Sequence, residues 1–314
     1  MRYLITGGAG FLGSHLTERL VSTGNDVRVL DDLSCGSLHN LVGVQVEVDF
    51  VKADVRDATA VAQAMSGVDC VLHLAAIASV HRSVEDPIIT SSVNLMGSLN
   101  VIDQARRAGV KRVVFMSSAA VYGQGSEPVK TETLPVCPVS PYAADKTCVE
   151  TMCRVFSDLY GLETTSLRCF NIYGPRQSAR SDYATVIPRF IGRMLDGERP
   201  VVFGDGLQTR DFCYVDDVVS ATILAATCPT LGHGEVINIG SGTSVSVLEL
   251  VDYLNTALGT CLAPVHDVAR PGDVRHSRAD ISLATRVLGY QPQIPLAEGL
   301  RRTATWLSER WPPA

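Results

Sequence analysis

The sequence predicts an α/β protein: a doubly wound parallel sheet with helices on both faces and a smaller, interleaved C-terminal lobe. Three observations lead there. Short apolar runs alternate with segments of helical spacing through the first half of the chain. Those runs are apolar along their whole length, as in strands covered on both faces. The first of them leads into a glycine-rich turn that opens a helix.

Taken in order, "YLITG" is the first strand and "FLGSHLTERLVSTG" a helix ending on Gly24. "DVRVLDD" and "VEVDFVKADV" are strands, and "DATAVAQAMSG" is a helix closed by Gly67. "CVLHLAA" is a strand and "TSSVNLMGSLNVIDQARRAG" one long helix. "KRVVFMSSAAVYG" is a strand, "SPYAADKTCVETMCRVFSDLYG" a helix, and "ETTSLRCFNIYG" a strand. After about Gly174 prolines and glycines become frequent and the elements shorten. "FCYVDDVVSATILAAT" and "EVINIG" read as elements that return to the main sheet. The main domain therefore spans residues 1–170, with returning elements at about 211–240, and the second lobe covers most of 171–314.

A chain of 314 residues, 46% hydrophobic and 19% charged, can bury a sizeable core. Its net charge of −6 argues against a nucleic-acid binder, which would carry a basic face. None of the nine cysteines forms a CxxC pair, which fits buried free thiols in a reducing compartment better than disulfides or zinc. No leader-like start and no apolar run of about 18 residues is present, so a soluble cytoplasmic protein is expected.

The turn "GGAGFLG" sets Gly7, Gly10 and Gly13 in a GxxGxxG pattern between strand and helix. The first glycine permits the tight turn, the second lets backbone approach a pyrophosphate, and the third lets helix and strand pack closely. The helix N-terminus then faces the phosphates. This is a Rossmann-type dinucleotide loop. Asp31 ends the next strand, where a carboxylate accepts ribose hydroxyls and repels a 2′-phosphate, favouring NAD over NADP. Asp54 and Val55 end a further strand, placed for the adenine; a plain turn aspartate is the alternative for Asp54.

Tyr142 and Lys146 stand one turn apart at the start of a predicted helix, on one face. An ammonium beside a phenol favours phenolate and lowers its pKa, so the tyrosine can act as a base near neutral pH. Ser118 sits at the C-terminal end of a predicted strand, where open α/β sheets bind ligands. YxxxK taken alone is also a common surface pair.

With these residues in place, the chain resembles the extended short-chain dehydrogenase/reductases, the nucleotide-sugar epimerase and dehydratase branch, and most of all the UDP-hexose 4-epimerases. "TGGAGFLG", "HLAA", "SSAAVYG", "SPYAADK", "RCFNIYGPRQ", "GDGLQTRDFCYVDD", "NIGSG" and "RPGDVRHSRAD" follow the family's order over nearly the whole chain. The resemblance implies Ser118, Tyr142 and Lys146 as catalytic groups. It implies an NAD site lined by Gly7, Gly10, Phe11, Leu12, Gly13, Asp31, Asp54, Val55, Leu74, Ala75, Ala76 and Asn94, with Tyr142 and Lys146 at its nicotinamide end. Asn171 would contact the sugar diphosphate, and Arg210 and Arg270 would hold its phosphates, as guanidinium forks suit them. Surface salt bridges are the alternative for both arginines. Ser79 and Arg82 are further candidates beside the sugar.

The related 4,6-dehydratases carry an acid–base Asp-Glu pair after the serine, where this chain has Ala119 and Ala120. Alanine moves no proton, so dehydration is disfavoured; Ala120 likewise argues against the decarboxylating members. The residue beside sugar C2 would be Ser277, small enough to admit an N-acetyl group. The expected reaction is inversion at C4 of a UDP-hexose (UDP-GlcNAc/UDP-GalNAc, UDP-Glc/UDP-Gal, or both) through a 4-keto intermediate. The alternative is an epimerase or dehydratase acting on another nucleotide sugar, such as a UDP-uronic acid, although Ser178 stands where uronate enzymes show an arginine and Arg180 lies two places on. A non-catalytic NAD-sensing protein is the third reading, disfavoured because Tyr142 and Lys146 are both kept. His81 and His276 read as loop residues, and Cys169 replaces the family's more usual tyrosine. The resemblance also implies a homodimer joined through the two long helices, with ordinary packing on the sheet as the alternative.

Overall fold

The computed structural model describes residues 1–125, 127–179, 184–269 and 274–312. Arg180 and Arg270 lie outside the described residues. The strands are β1 (Arg2–Thr6), β2 (Asp26–Asp31), β3 (Val48–Lys52), β4 (Cys70–His73), β5 (Arg112–Ser118), β6 (Val129–Lys130), β7 (Glu163–Cys169), β8 (Asn171–Tyr173), β9 (Val201–Phe203), β10 (Thr209–Arg210), β11 (Phe212–Tyr214), β12 (His233–Ile239), β13 (Val245–Ser246), β14 (Val265–Asp267) and β15 (His276–Ala279). The helices are α1 (Phe11–Ser22), α2 (Ala58–Ala64), α3 (Val80–Glu85), α4 (Pro87–Ser91), α5 (Ser98–Arg107), α6 (Pro141–Tyr160), α7 (Val186–Leu195), α8 (Val215–Thr227), α9 (Val247–Leu258), α10 (Ser282–Leu288) and α11 (Leu296–Ser308).

Seven strands form the main sheet in the order β12-β7-β5-β4-β1-β2-β3, every neighbouring pair parallel. This is the expected Rossmann-type α/β sheet. Its alternating side chains divide the core in two. Tyr3 and Ile5 of β1 pack with Leu16 of α1 and Val218 of α8, while Leu4 faces Val61 of α2, Ile102 of α5 and Val149 of α6. The strand order reverses between β1 and β4, so a crevice opens at the carboxyl ends of these strands.

A second sheet, ordered β13-β10-β15-β6, stands opposite that crevice and gathers four separate parts of the chain. In it Arg210 pairs with Ser277, and Ala279 with Lys130.

Three expectations change. The segment "TSSVNLMGSLNVIDQARRAG" is not one regular helix: a π-helical segment, Ser92–Gly97, separates α4 from α5. There the Asn94 side chain is held by the Ile77 backbone, accepting its N–H at 2.8 Å and donating to its carbonyl at 3.1 Å. The strand in "KRVVFMSSAAVYG" stops at Ser118, whose hydroxyl accepts the Ala120 N–H at 3.1 Å and starts a 3₁₀ turn over Ala119–Tyr122. Of the two returning segments, "EVINIG" does join the main sheet as β12, but "FCY" pairs with β8 in a separate two-stranded sheet. Only α8, which follows it, packs back on β4, β5 and β7.

All nine cysteines are free; Cys70, Cys153, Cys169 and Cys213 are buried, but Cys35, Cys137, Cys148 and Cys261 are exposed. Among the described residues no helix is long and apolar enough to cross a membrane.

Candidate active site

The crevice is one continuous cleft of about 860 Å³, running from the glycine loop to the second sheet. Gly7, with φ near +70°, turns the chain out of β1, a backbone state that favours glycine. A Cβ at Gly13 would collide with the Gly7 carbonyl oxygen. No side chain caps α1 and no acidic residue occupies its first turn, so the backbone N–H groups after Gly10 are left for an anion.

Asp31 accepts the Ala9 N–H at 2.9 Å and the Leu33 N–H at 2.8 Å, tying the end of β2 to the glycine loop. Burial pushes its carboxyl up, and those two bonds oppose the shift. Phe11, Leu12, Val55, Leu74, Ala75 and Ala76 line the same end. Asp54 lines it with its carboxylate clamped by the Arg56 guanidinium at 2.6 Å, which holds it below the usual carboxylate range. The donors, acceptors and glycine cradle here fit a dinucleotide with a free ribose diol.

A buried polar chain holds this wall. Thr6 Oγ accepts the N–H groups of Leu74 and Ala75, both at 3.2 Å, so its own proton goes to His73 Nδ1 at 2.6 Å. Ser98 donates to the Asn94 carbonyl, so His73 Nε2–H donates to Ser98 Oγ at 2.8 Å. Burial drives the His73 pKa down to about 3, and the ring stays neutral. Asn94 thus supports the loop from behind and does not line the cleft, contrary to expectation.

At the centre, α6 starts cleanly. Ser140 Oγ accepts the Ala143 N–H at 3.2 Å and Pro141 occupies the first turn. That start delivers Tyr142 and, one turn on, Lys146 beneath the end of β5, both buried (8% and 4% exposed). The Ser118 side chain stands near enough to Tyr142 to favour its phenolate. Lys146 Nζ donates to the Met116 carbonyl at 2.6 Å and lies 5.8 Å from the Tyr142 ring centre. The expected lowering of the phenol by the lysine does not occur among this chain's own groups. Burial dominates and raises Tyr142, the Ser118 hydroxyl opposes it, and Lys146 is itself pulled down to about 8 by burial. Beneath them Glu150 accepts from Ser117 at 2.5 Å and pairs with Arg168 at 2.7 Å.

Toward the second sheet, Arg82, Asn171, Arg210 and Ser277 line the cleft. Ser79 does not; its hydroxyl caps α3 by accepting the Arg82 N–H at 3.1 Å. His81 belongs to α3 and His276 to β15, not to loops. Ala119 and Ala120 face the cleft beside Ser118.

Gly36, Asn40, Lys130 and Arg176 also line the cleft, and the sequence did not point to them. Arg176 lay inside the quoted "GPRQ"; it fastens that loop to α1 through Glu18 at 2.6 Å and Ser14 at 3.1 Å. Asn40 donates to the Ala9 carbonyl at 2.9 Å, and a Cβ on Gly36 would press on Ala9. Gly36 and Asn40 carry no motif of their own in the sequence.

A family model described as "NAD dependent epimerase/dehydratase family" matches residues 3–240. The UDP-glucose 4-epimerase of Mycolicibacterium smegmatis is 40% identical, with 99% of each chain covered. The solved UDP-N-acetylglucosamine 4-epimerase of Methanobrevibacter ruminantium, in complex with UDP-N-acetylmuramic acid, superposes with a TM-score of 0.94 at 37% identity over 98% of each chain. The Thermus thermophilus UDP-glucose 4-epimerase complex with NAD gives 0.88 at 37% identity, again over 98% of each chain.

Proposed function

The chain belongs to the NAD-dependent epimerase/dehydratase family, and on that premise we propose that it inverts C4 of UDP-hexoses, taking UDP-N-acetylglucosamine and UDP-N-acetylgalactosamine as well as UDP-glucose and UDP-galactose. The observation that carries this reading is the single cleft in which the glycine loop, the Ser118–Tyr142–Lys146 cluster and Arg210 with Ser277 all meet.

Hydride acceptance from C4 and hydride return are the chemistry NAD supplies when bound. Tyr142 takes the proton of the 4-hydroxyl, and the neighbouring Ser118 hydroxyl shares it once substrate is bound. Lys146, tied to the Met116 carbonyl and 5.8 Å from the Tyr142 ring centre, would hold the nicotinamide ribose, and NAD when bound would supply the positive charge that favours the phenolate. Arg210 grips the diphosphate, so the flat 4-keto sugar turns about its phosphate linkage while the nucleotide stays anchored. Residues 1–170 and the returning segments hold the cofactor, and residues 171–314 hold most of the nucleotide sugar. Ala119 and Ala120 offer no acid or base, which supports epimerisation over dehydration. Ser277 leaves room beside C2 for an N-acetyl group.

The test is incubation of the protein with UDP-N-acetylglucosamine and UDP-glucose separately, with products resolved by chromatography and proton NMR at C4. Conversion of both supports the reading. Conversion to a 6-deoxy-4-keto product, or no conversion of either, overturns it.

We further propose a homodimer built on α4, the π segment and α6. Ile88, Met96, Leu159 and Tyr160 on this face are 79%, 53%, 68% and 53% exposed, a surface that a second copy would cover. Light scattering that finds a monomer at micromolar concentration removes this proposal.

A further inference from the structure

Asp145 is a buried carboxylate on the catalytic helix to which the proposed reaction assigns no role. It stands between Tyr142 and Lys146 on α6, is 5% exposed and does not line the cleft. It is held from another element: the Ser91 hydroxyl, at the end of α4, donates to both of its oxygens, at 2.9 and 3.1 Å. Accepting on both oxygens suits the ionised form. Burial raises the carboxyl, and the Ser91 hydroxyl and the Lys146 charge oppose that rise. Charged side chains stand on several elements packed against α6, among them Arg82 and Glu85 of α3, Asp103 and Arg106 of α5 and Arg168 of β7. The Lys146 charge is the one that acts on Asp145.

Lys146 needs such a neighbour. Its Nζ meets the Met116 carbonyl at 2.6 Å and lies 4.6 Å from the Phe115 ring centre, and neither carries a full counter-charge. Burial pulls it down to about 8, while Cys169, Glu150 and Asp145 act in the opposite direction. Cys169 can do so only as a thiolate, and burial pushes that thiol up to about 12, so it is neutral near pH 7. Glu150 is already committed to the Arg168 guanidinium and the Ser117 hydroxyl. Asp145 is left as the anion with no second cation to answer. The proton it keeps on Lys146 matters for binding. An ammonium has three donors, so with one on the Met116 carbonyl two remain for a ribose diol. The neutral amine has one donor fewer and no charge.

We propose that Asp145 is a positioning residue: fixed against α6 by Ser91, it supplies the counter-charge that keeps Lys146 protonated and able to grip the nicotinamide ribose. This rests on the role given to Lys146 at the cofactor, and not on which sugar is turned over. Ser91 closes α4 immediately before the π segment, whose Asn94 braces the cleft wall at Ile77. One hydroxyl therefore ties the charge on α6 to the wall that lines the dinucleotide.

The test is the pH dependence of NAD binding to the full chain, followed by calorimetry for the natural protein, Asp145→Asn and Ser91→Ala. In the natural protein affinity should fall as pH rises through about 8, where Lys146 gives up its proton. Asp145→Asn removes the anion and should move this fall to lower pH by about one unit. Ser91→Ala leaves the carboxylate without its donor and should move the fall the same way, by less. Binding weakened equally at every pH, with the midpoint unmoved, makes Asp145 a structural residue and overturns the proposal. Should Asp145→Asn fail to fold, Ser91→Ala decides, and an unmoved midpoint there overturns it as well. A midpoint that shifts in a protein turning over no UDP-hexose upholds Asp145 and sinks the sugar reading alone.

Discussion

Replacing Glu150 by alanine tests how the floor of the active site is held. Glu150 and Arg168 are each 6% exposed and meet through two hydrogen bonds, at 2.9 and 2.7 Å. Ser117 donates to the same carboxylate, and Arg168 Nη1 already lacks a partner. The variant leaves a buried guanidinium with only the Tyr122 ring, 4.8 Å from its central carbon, opposite it. Removing one member of a buried pair costs about 3–5 kcal/mol, because the other charge stays behind uncompensated. An unfolding entropy of about 2.1 cal/mol/K per residue gives roughly 0.66 kcal/mol/K for the 314-residue chain. The melting temperature should therefore fall by about 5–8 °C. Calorimetry on Glu150→Ala, Arg168→Met and the double change Glu150→Leu with Arg168→Met separates charge from packing. The double variant should recover most of the loss, since an apolar pair of similar volume needs no counter-charge. A double variant as unstable as the sum of the singles, or a single variant within about 1 °C of the natural protein, refutes the argument.

Tyr142→Phe should cut turnover by about 10²–10⁴-fold while NAD still binds, read by product formation and cofactor fluorescence; retained turnover removes the assigned base. Lys146 falls to about 8 in the folded chain against 10.5 unfolded. The unfolded chain therefore holds the proton to higher pH, and folding pays this penalty in full below pH 8 and sheds it as pH rises toward 10.5. Relative to Lys146→Met, the natural protein should gain about 3 kcal/mol, or about 5 °C in melting temperature, between pH 7 and 10.5; a gap independent of pH contradicts this. Ser277→Tyr should shift the ratio of UDP-N-acetylglucosamine to UDP-glucose turnover toward the smaller sugar by about 10–200-fold, measured in competition; an unchanged ratio removes Ser277 from the sugar site.

What could be read in advance was local. The glycine turn needs only its own few residues, and the Tyr142–Lys146 pair follows from helical spacing once Ser140 and Pro141 start the helix. Ser118 was legible because the apolar run VVFM marks β5 and the two serines close it, although the strand was expected to run on past them. The rest depends on partners far along the chain. Lys130 was invisible because β6 has two residues, too few for a period, and its neighbour is Ala279. The three-residue strand at Phe212 carries no sign of which sheet it joins. The direction of the Tyr142 shift follows from its burial, with the Cys169 thiol adding to it, and the YxxxK spacing says nothing of that. Asn94 stood in the right segment, but its engagement with Ile77 is a tertiary contact that helical periodicity cannot express.

The sheet β13-β10-β15-β6 has a consequence for how the protein is made. Val129 and Lys130 pair with Arg278 and Ala279, so that wall of the cleft cannot close until almost the whole chain has left the ribosome. The glycine loop, β2, β3 and β4 need only the first quarter of the chain. During synthesis the strands that carry the glycine loop are therefore complete long before the wall formed by the second sheet, and the two sides of the cleft meet only at the end.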